Sequence, residues 1–357
     1  MAFFRLSVRL IVSLTIAVAV LELCSRIEDT VTDGAPFIGR YDSTIVFTKD
    51  KFGVVGRPNA HYTRWTMNSH GYLGPELRWD RERILFIGAS ETFGFSEPKG
   101  MEYPAQLERE LNARAGRERF QAVNAAVPGS TLRSHARRME RLISDVQPTI
   151  VLIYASPFDY ADRTNGIDNA DWVDNSGGFQ SHLWTKFFNW LASGPEWFET
   201  IRFKVHIWRI VHSQHKPVMQ RVPEENIESF RTDLCDLLDR VQARGIRAVL
   251  VTHATPFGKQ NRPEGYSRLI AMRRFNPMLA EPGFVDLENR INDVQRQEAS
   301  RRGLTLADAA EQISGPKNFV DHEHFSVNGA RLMADLIADK LLPAGSRRAA
   351  GLVARRD

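Results

Sequence analysis

The chain has 357 residues, 43% of them hydrophobic and 25% charged, the proportions of a globular protein able to bury a substantial core. No low-complexity tract or fixed-period repeat is present, which excludes solenoids and propellers. The net charge of +4 does not mark a nucleic-acid binder: residues 347–357 hold four Arg and one Asp, a local +3, while the remainder is nearly balanced, and no zinc-finger spacing or basic-aromatic RNA signature occurs.

In chain order, the first feature is an apolar stretch, Leu6–Leu23, with Arg5 and Arg9 before its most apolar part. Glu22, Glu28, Asp29 and Asp33 follow, against Arg26. Its length barely spans a bilayer, and the positive flank belongs on the cytoplasmic side. The reading adopted is a retained signal anchor over residues 1–23 that exports the body. A cleaved signal peptide, with small residues around Ala17 and Ala19, and a buried core helix are the competing readings. Cys24 and Cys235 give no disulfide framework.

Residues 24–82 read as a linker and an N-terminal segment with few regular elements. An alternation then begins. Strands are expected at Arg83–Ile87, Phe120–Asn124, Thr149–Tyr154, Ile246–Thr252 and Leu304–Ala307. Helices are expected at Tyr103–Arg114, Thr131–Asp145, Glu224–Ala243, Leu287–Arg302 and Asn328–Leu342. Short apolar strands separated by helices imply an α/β fold: a central, mostly parallel five-stranded sheet in a three-layer α/β/α arrangement. The expected α/β domain is 83–342, interrupted by an insertion at 160–222, with a disordered basic tail at 343–357.

Ligands of such sheets bind at the carboxyl ends of the strands, so chemistry is sought there. After the first strand stands Gly88-Ala89-Ser90-Glu91-Thr92-Phe93-Gly94. A serine at that turn points its hydroxyl off the sheet edge, beside backbone N–H groups suited to an oxyanion; a plain helix cap is the competing reading. After the second strand Gly129 offers a further N–H, or is a loop glycine before a helix capped by Ser130 or Thr131. Near the end, Asp321-His322-Glu323-His324 puts an Asp three residues before a His, close enough to orient it as a base. The competing readings there are a polar loop capping the last helix and a metal set of Asp321, His322 and His324; no further ligands accompany it, and no metal or cofactor is expected.

These motifs, in this order, resemble the SGNH/GDSL hydrolase family. Residues 88–94 look like its first motif, and Val123-Asn124-Ala125-Ala126-Val127-Pro128-Gly129 looks like its second. Asp321 to His324 matches the last motif's Asp-x-x-His. Tyr103-Pro104-Ala105-Gln106-Leu107-Glu108 and Asn68-Ser69-His70-Gly71-Tyr72 are similar to segments of bacterial membrane-linked members. The likeness spans roughly 55–342 apart from the insertion; each motif is weak alone and the ordered set is fairly specific. It implies acyl transfer with Ser90 as nucleophile, His324 as base and then acid, and Asp321 as orienter. The N–H groups of Ser90 and Gly129 would hold the oxyanion.

Two departures stand out. Ala89 replaces the Asp of Gly-Asp-Ser, which is no triad member. In the third motif, Tyr154-Ala155-Ser156-Pro157-Phe158-Asp159 puts Phe158 where the family's oxyanion Asn belongs. Losing one such donor costs about 100- to 1000-fold in rate, unless Ser156 or an amide elsewhere stands in.

The insertion is aromatic: five of the seven Trp lie between Trp172 and Trp208. Trp197, Ile201, Val205 and Trp208 recur at helical spacing. The segment reads as a helical subdomain packed on the sheet, as a lid with aromatic platforms over the serine, or as a membrane-interface element.

The leading expectation is an esterase or O-acyltransferase acting outside the cytoplasm, on an acyl ester of a glycan or envelope lipid. It would meet the membrane through its N-terminal helix and would not bind nucleic acid. The alternative is a catalytically impaired relative that binds polysaccharide or scaffolds an envelope assembly; a metal hydrolase is the third.

Overall fold

In the computed structural model, described for all residues except 1, 158–159, 162–172, 174–178, 193–195, 215–216, 259–265 and 344–357, the chain opens with one long helix, α1 (Ala2–Asp33). Its apolar stretch is long enough to cross a membrane and is not buried against the body. The helix does not stop at Leu23 but continues through Glu28 and Asp29 to Asp33, where Gly34 ends it in the left-handed conformation at φ +67°.

Two small antiparallel hairpins follow: β1 (Phe47–Asp50) with β2 (Gly53–Gly56), and β3 (His61–Tyr62) with β4 (Trp65–Thr66). The Asn68-Ser69-His70-Gly71-Tyr72 segment is a turn built by one side chain. Asn68 Oδ1 accepts from the His70 and Tyr72 N–H groups at 2.9 and 3.0 Å, and Asn68 Nδ2 donates to Pro75 O at 3.0 Å.

The body is β5 (Glu82–Gly88), α2 (Ser90–Phe93), α3 (Tyr103–Ala115), β6 (Phe120–Asn124), α4 (Leu132–Val146) and β7 (Ile150–Tyr154). After it come α5 (His182–Ala192), α6 (Glu196–Gln214), α7 (Glu224–Gln242), β8 (Arg247–Val251) and α8 (Tyr266–Arg273). The chain closes with α9 (Glu281–Arg302), β9 (Thr305–Ala307), α10 (Ala309–Gln312) and α11 (Val327–Leu341). The five body strands form one parallel sheet in the order β6-β5-β7-β8-β9, as the strand–helix alternation implied.

Period-two geometry divides the strand residues between two cores. Leu85, Ile87, Val151, Ile153 and Leu250 face a layer in which Met139 of α4, Phe230 and Leu234 of α7 and Phe284 and Leu287 of α9 are buried. Ile84, Phe86, Leu152, Tyr154 and Val249 face the other layer, with Leu107 of α3 and Met333 and Ile337 of α11. Both faces are covered, so β7 is apolar throughout rather than alternating. Local signals set the helix ends: Thr131 and Ser134 form a capping box at α4, and Ser326 caps α11.

The sheet order reverses around β5, since β6 lies on one side of it and β7 on the other. That is the crevice where open α/β sheets place their ligands.

The described residues of the insertion divide: Tyr160, Ala161 and Val222 join the core on one face of the sheet and Val173 packs with Phe47 and Phe93, whereas the two helices make their main contacts elsewhere. α5 packs along α1, and α6 packs on α8. On α6 the buried residues are Phe203 and Ile207, whereas Ile201, Val205 and Trp208 are exposed; the side chain of Trp197 lies outside the described residues.

Candidate active site

Ser90 begins α2, immediately beyond the carboxyl end of β5. The turn needs Gly88, since a Cβ there would lie 2.2 Å from Thr92 Oγ1 and 2.8 Å from Tyr154 O. The Gly88 carbonyl accepts from Val127 N at 3.3 Å and meets His135 Nε2 at 3.1 Å. Arg138 Nη2 donates to His135 Nδ1 at 2.8 Å, so the proton of His135 sits on Nε2 and points at Gly88. Burial, then the Arg138 charge, push the His135 pKa well below the usual range and keep it neutral. Asn124 Nδ2 donates to Thr92 O at 2.8 Å and ties the end of β6, where the next loop begins, to α2. On that loop Gly129 takes φ +71°. Among the described hydrogen bonds, neither the Ser90 nor the Gly129 N–H is a donor.

The other half of the site is the loop before α11. Asp321 Oδ1 accepts from the Glu323 and His324 N–H groups at 2.9 and 2.8 Å, and its Oδ2 lies 2.7 Å from His324 Nδ1. Burial alone would raise the Asp321 pKa, but the His324 hydrogen bond and charge outweigh it and hold the carboxylate far below its ordinary range. Burial likewise lowers the His324 pKa, yet the Asp321 hydrogen bond and the Glu323 charge win and raise it to about 9. His324 Nε2 is buried and makes no hydrogen bond; its nearest carboxylate oxygen is Glu323 Oε1 at 3.7 Å. The Ser90 hydroxyl has only a long contact, 3.4 Å to Glu91 Oε2.

Ser90, Gly129, Asp321 and His324 line one cleft of about 490 Å³. Its aromatic walls are Phe47, Phe95 and Phe275, and no described residue of α5 or α6 lines it; Trp172 and the side chain of Trp197 lie outside the described residues. Ser156 is half-buried and does not line the cleft. Phe158 and Asp159, on which the third-motif comparison turns, lie outside the described residues.

Sequence reading left a second charged group without a role. Against Glu91, the neighbour of Ser90, the buried His253 sets Nε2 at 3.1 Å from Oε1, and its Nδ1 meets Glu288 Oε2 at 3.0 Å. Asn292 fixes the backbone of His253 by accepting its N–H at 2.7 Å and donating to its carbonyl at 2.9 Å. Burial opposes charge on this imidazole, but the Glu288 and Glu91 carboxylates outweigh it and keep it protonated. Burial also raises Glu91, yet the His253 hydrogen bond holds it below the usual value. At Glu288 burial wins and the pKa is raised. Close by, burial lifts Glu97 to about 7 and raises Glu323. His253 stands two residues beyond the end of β8, a position the strand-end rule points to; Glu288, deep in α9, carries no local signal.

No protein-family model matches the chain, and no curated protein does. Solved structures do. One is described as a lipolytic protein of the G-D-S-L family from Desulfitobacterium hafniense DCB-2, at 12% identity over 72% of this chain and 98% of that one, with TM-score 0.41. Another is the acetylxylan esterase Axe2 of Geobacillus stearothermophilus, at 16% identity over 73% and 94%, with TM-score 0.43. A third is the acetyl xylan esterase AlAXEase, at 13% identity over 73% and 100%, with TM-score 0.43.

Proposed function

We propose that this chain is an SGNH-type serine esterase or O-acyltransferase, with Ser90 as nucleophile, His324 as base and then acid, and Asp321 as its orienter. One observation carries the reading. An imidazole held by a carboxylate keeps a buried Nε2 without a hydrogen-bond partner, in the same cleft as a strand-end serine. An unpaired buried polar atom costs roughly 1–3 kcal/mol, and the Ser90 hydroxyl, with only a 3.4 Å contact, is the group that can relieve it. Such hydrogen bonds often tighten only when substrate is bound.

In the proposed cycle, Ser90 Oγ attacks an ester carbonyl while His324 Nε2 takes its proton. The oxyanion falls to the N–H groups of Ser90 and Gly129. His324 then protonates the departing alcohol; water or a sugar hydroxyl next attacks the acyl-serine, giving its proton to His324, which returns it to Ser90 Oγ as the serine–acyl bond breaks. The rings of Phe47, Phe95 and Phe275 suit a sugar face or an acyl chain. The flanking charges of α1 support a body outside the cytoplasm, with an acylated envelope glycan or lipid as substrate.

A fluorophosphonate probe tests the assignment. The folded protein is expected to be labelled at Ser90, labelling to vanish in Ser90→Ala, and to fall in His324→Ala. Folded wild-type protein that takes no label would overturn the enzyme reading.

The pH profile follows from the raised His324. Its protonated form cannot accept from serine and dominates below about pH 9. We expect kcat/KM on a p-nitrophenyl ester to rise about tenfold per pH unit toward that value and then level. A limb that levels near 6.5, the ordinary histidine value, would contradict a base in this environment.

A further inference from the structure

We propose that α5 and the basic part of α6 form a platform lying in the headgroup region of the bilayer that α1 crosses, with the aromatic face of α5 seated among the lipids. The inference rests on α1 being a membrane anchor, and it goes beyond the reaction proposed for the cleft.

Depth is the first argument. Phe4–Leu21 rises about 27 Å at 1.5 Å per residue, close to a hydrocarbon thickness of about 30 Å. Glu22 therefore stands at the bilayer's exit face. That residue receives the start of α5: its carboxylate accepts from Ser181 Oγ at 2.7 Å, His182 N at 3.1 Å and Leu183 N at 2.9 Å. One turn further along α1, Arg26 donates to Gln180 O at 2.6 Å, and Asp29 meets the buried His182 at 2.9 Å. Lys186 pairs with Glu28 and Asp29 at 2.7 and 2.9 Å. These contacts hold the start of α5 at the level of Glu22, with Lys186 reaching side chains about 10 Å further along α1.

Chemistry is the second. The outward side of α5 carries Trp184, Phe187, Phe188 and Trp190, which are 58, 42, 49 and 71% exposed. They touch one another, with ring centroids 5.0 to 6.1 Å apart, so they form one contiguous apolar patch of a kind water-facing surfaces seldom show. Tryptophan at that depth is the usual interfacial residue. α1 itself has no Trp or Tyr, so α5 supplies the aromatic belt the anchor lacks.

Charge is the third. α6 exposes Ile201, Val205 and Trp208 at helical spacing, beside exposed Arg202, Lys204 and Arg209, and no acidic residue follows Glu199 in this helix. A basic amphipathic helix suits an anionic lipid surface.

The test uses the full chain in phosphatidylcholine–phosphatidylglycerol vesicles with and without brominated acyl chains, which quench nearby tryptophan. Because α1 contains no Trp, quenching reports on the body. Protein that floats with the vesicles is expected to be quenched by bromine, and Trp184→Phe with Trp190→Phe is expected to remove most of that quenching while flotation persists. Flotation without quenching, or quenching unchanged in the double variant, overturns the platform and leaves the anchor standing. Failure to float overturns both. Crosslinking of the unquenched face to a second protein assigns it to a partner and overturns the lipid proposal.

Discussion

Replacing His324 with alanine is expected to lower kcat on a p-nitrophenyl ester by about 10⁴-fold or more, with KM within a few-fold of wild type. The serine then has no acceptor for its proton, while the cleft walls that bind substrate are unchanged. Asp321→Asn is expected to cost about 10⁴-fold by another route. An amide NH₂ facing His324 Nδ1 forces that nitrogen to accept, which moves the imidazole proton to Nε2, where it faces the serine instead of receiving from it. His322 is the internal control. It lines the same cleft, and burial lowers its pKa to about 4, so it is the more readily neutral imidazole. Yet its nearest Asp321 oxygen is 3.9 Å away and Glu323 Oε1 lies 3.5 Å from its Nε2, against 2.7 Å between Asp321 and His324, so Asp321 orients His324 and not His322. If His322→Ala abolishes turnover and His324→Ala does not, the base has been assigned to the wrong ring.

Replacing His253 with leucine is expected to destabilise the protein by roughly 3–5 kcal/mol, the cost of stripping a buried charge of its partner. Here two carboxylates, Glu91 and Glu288, lose one shared cation, and both are buried. The sign of the pH effect follows. Without the cation, both carboxyl pKa values in the folded state rise above their unfolded values. The native variant then binds more protons than its unfolded chain, so its stability falls as pH rises. Wild type also loses stability above about pH 6.5, because His253 keeps its proton when folded and sheds it when unfolded, but two raised carboxyls outweigh one imidazole, so the deficit in urea denaturation should still be larger at pH 8 than at pH 5. An equal deficit at both pH values would mean that the three groups are not coupled as the distances indicate. Because Glu91 is the neighbour of Ser90, the same substitution should also weaken fluorophosphonate labelling in the protein that stays folded.

The sheet was legible because its strands are short, apolar and separated by helices with clear periodicity, and a parallel sheet covered on both faces needs little more. α8 was not legible: among its described side chains the buried marks are Leu269 and Met272, too few to show a period. α6 misled for a physical reason. Its most conspicuous apolar stripe, Ile201, Val205 and Trp208, is the exposed one, and periodicity cannot say which apolar face meets protein. In the site, Asp321 and His324 are neighbours in the chain, so their contact could be anticipated from spacing alone. The Glu91–His253–Glu288 group could not, since its members come from α2, the segment after β8 and α9, and only the folded sheet edge brings them together.

The exit segment of α1 is more than a tether. Between Glu22 and Asp33 it rises about 18 Å, and it is clasped there by Ser181, His182 and Lys186, while its own Arg26 donates to Phe37 O at 2.6 Å. If α1 spans a bilayer as proposed, that stalk is a ruler rather than a string: the body would not tumble, the cleft would be carried at one altitude, and the search for a membrane-borne substrate would become two-dimensional, with encounters set by surface density instead of bulk concentration.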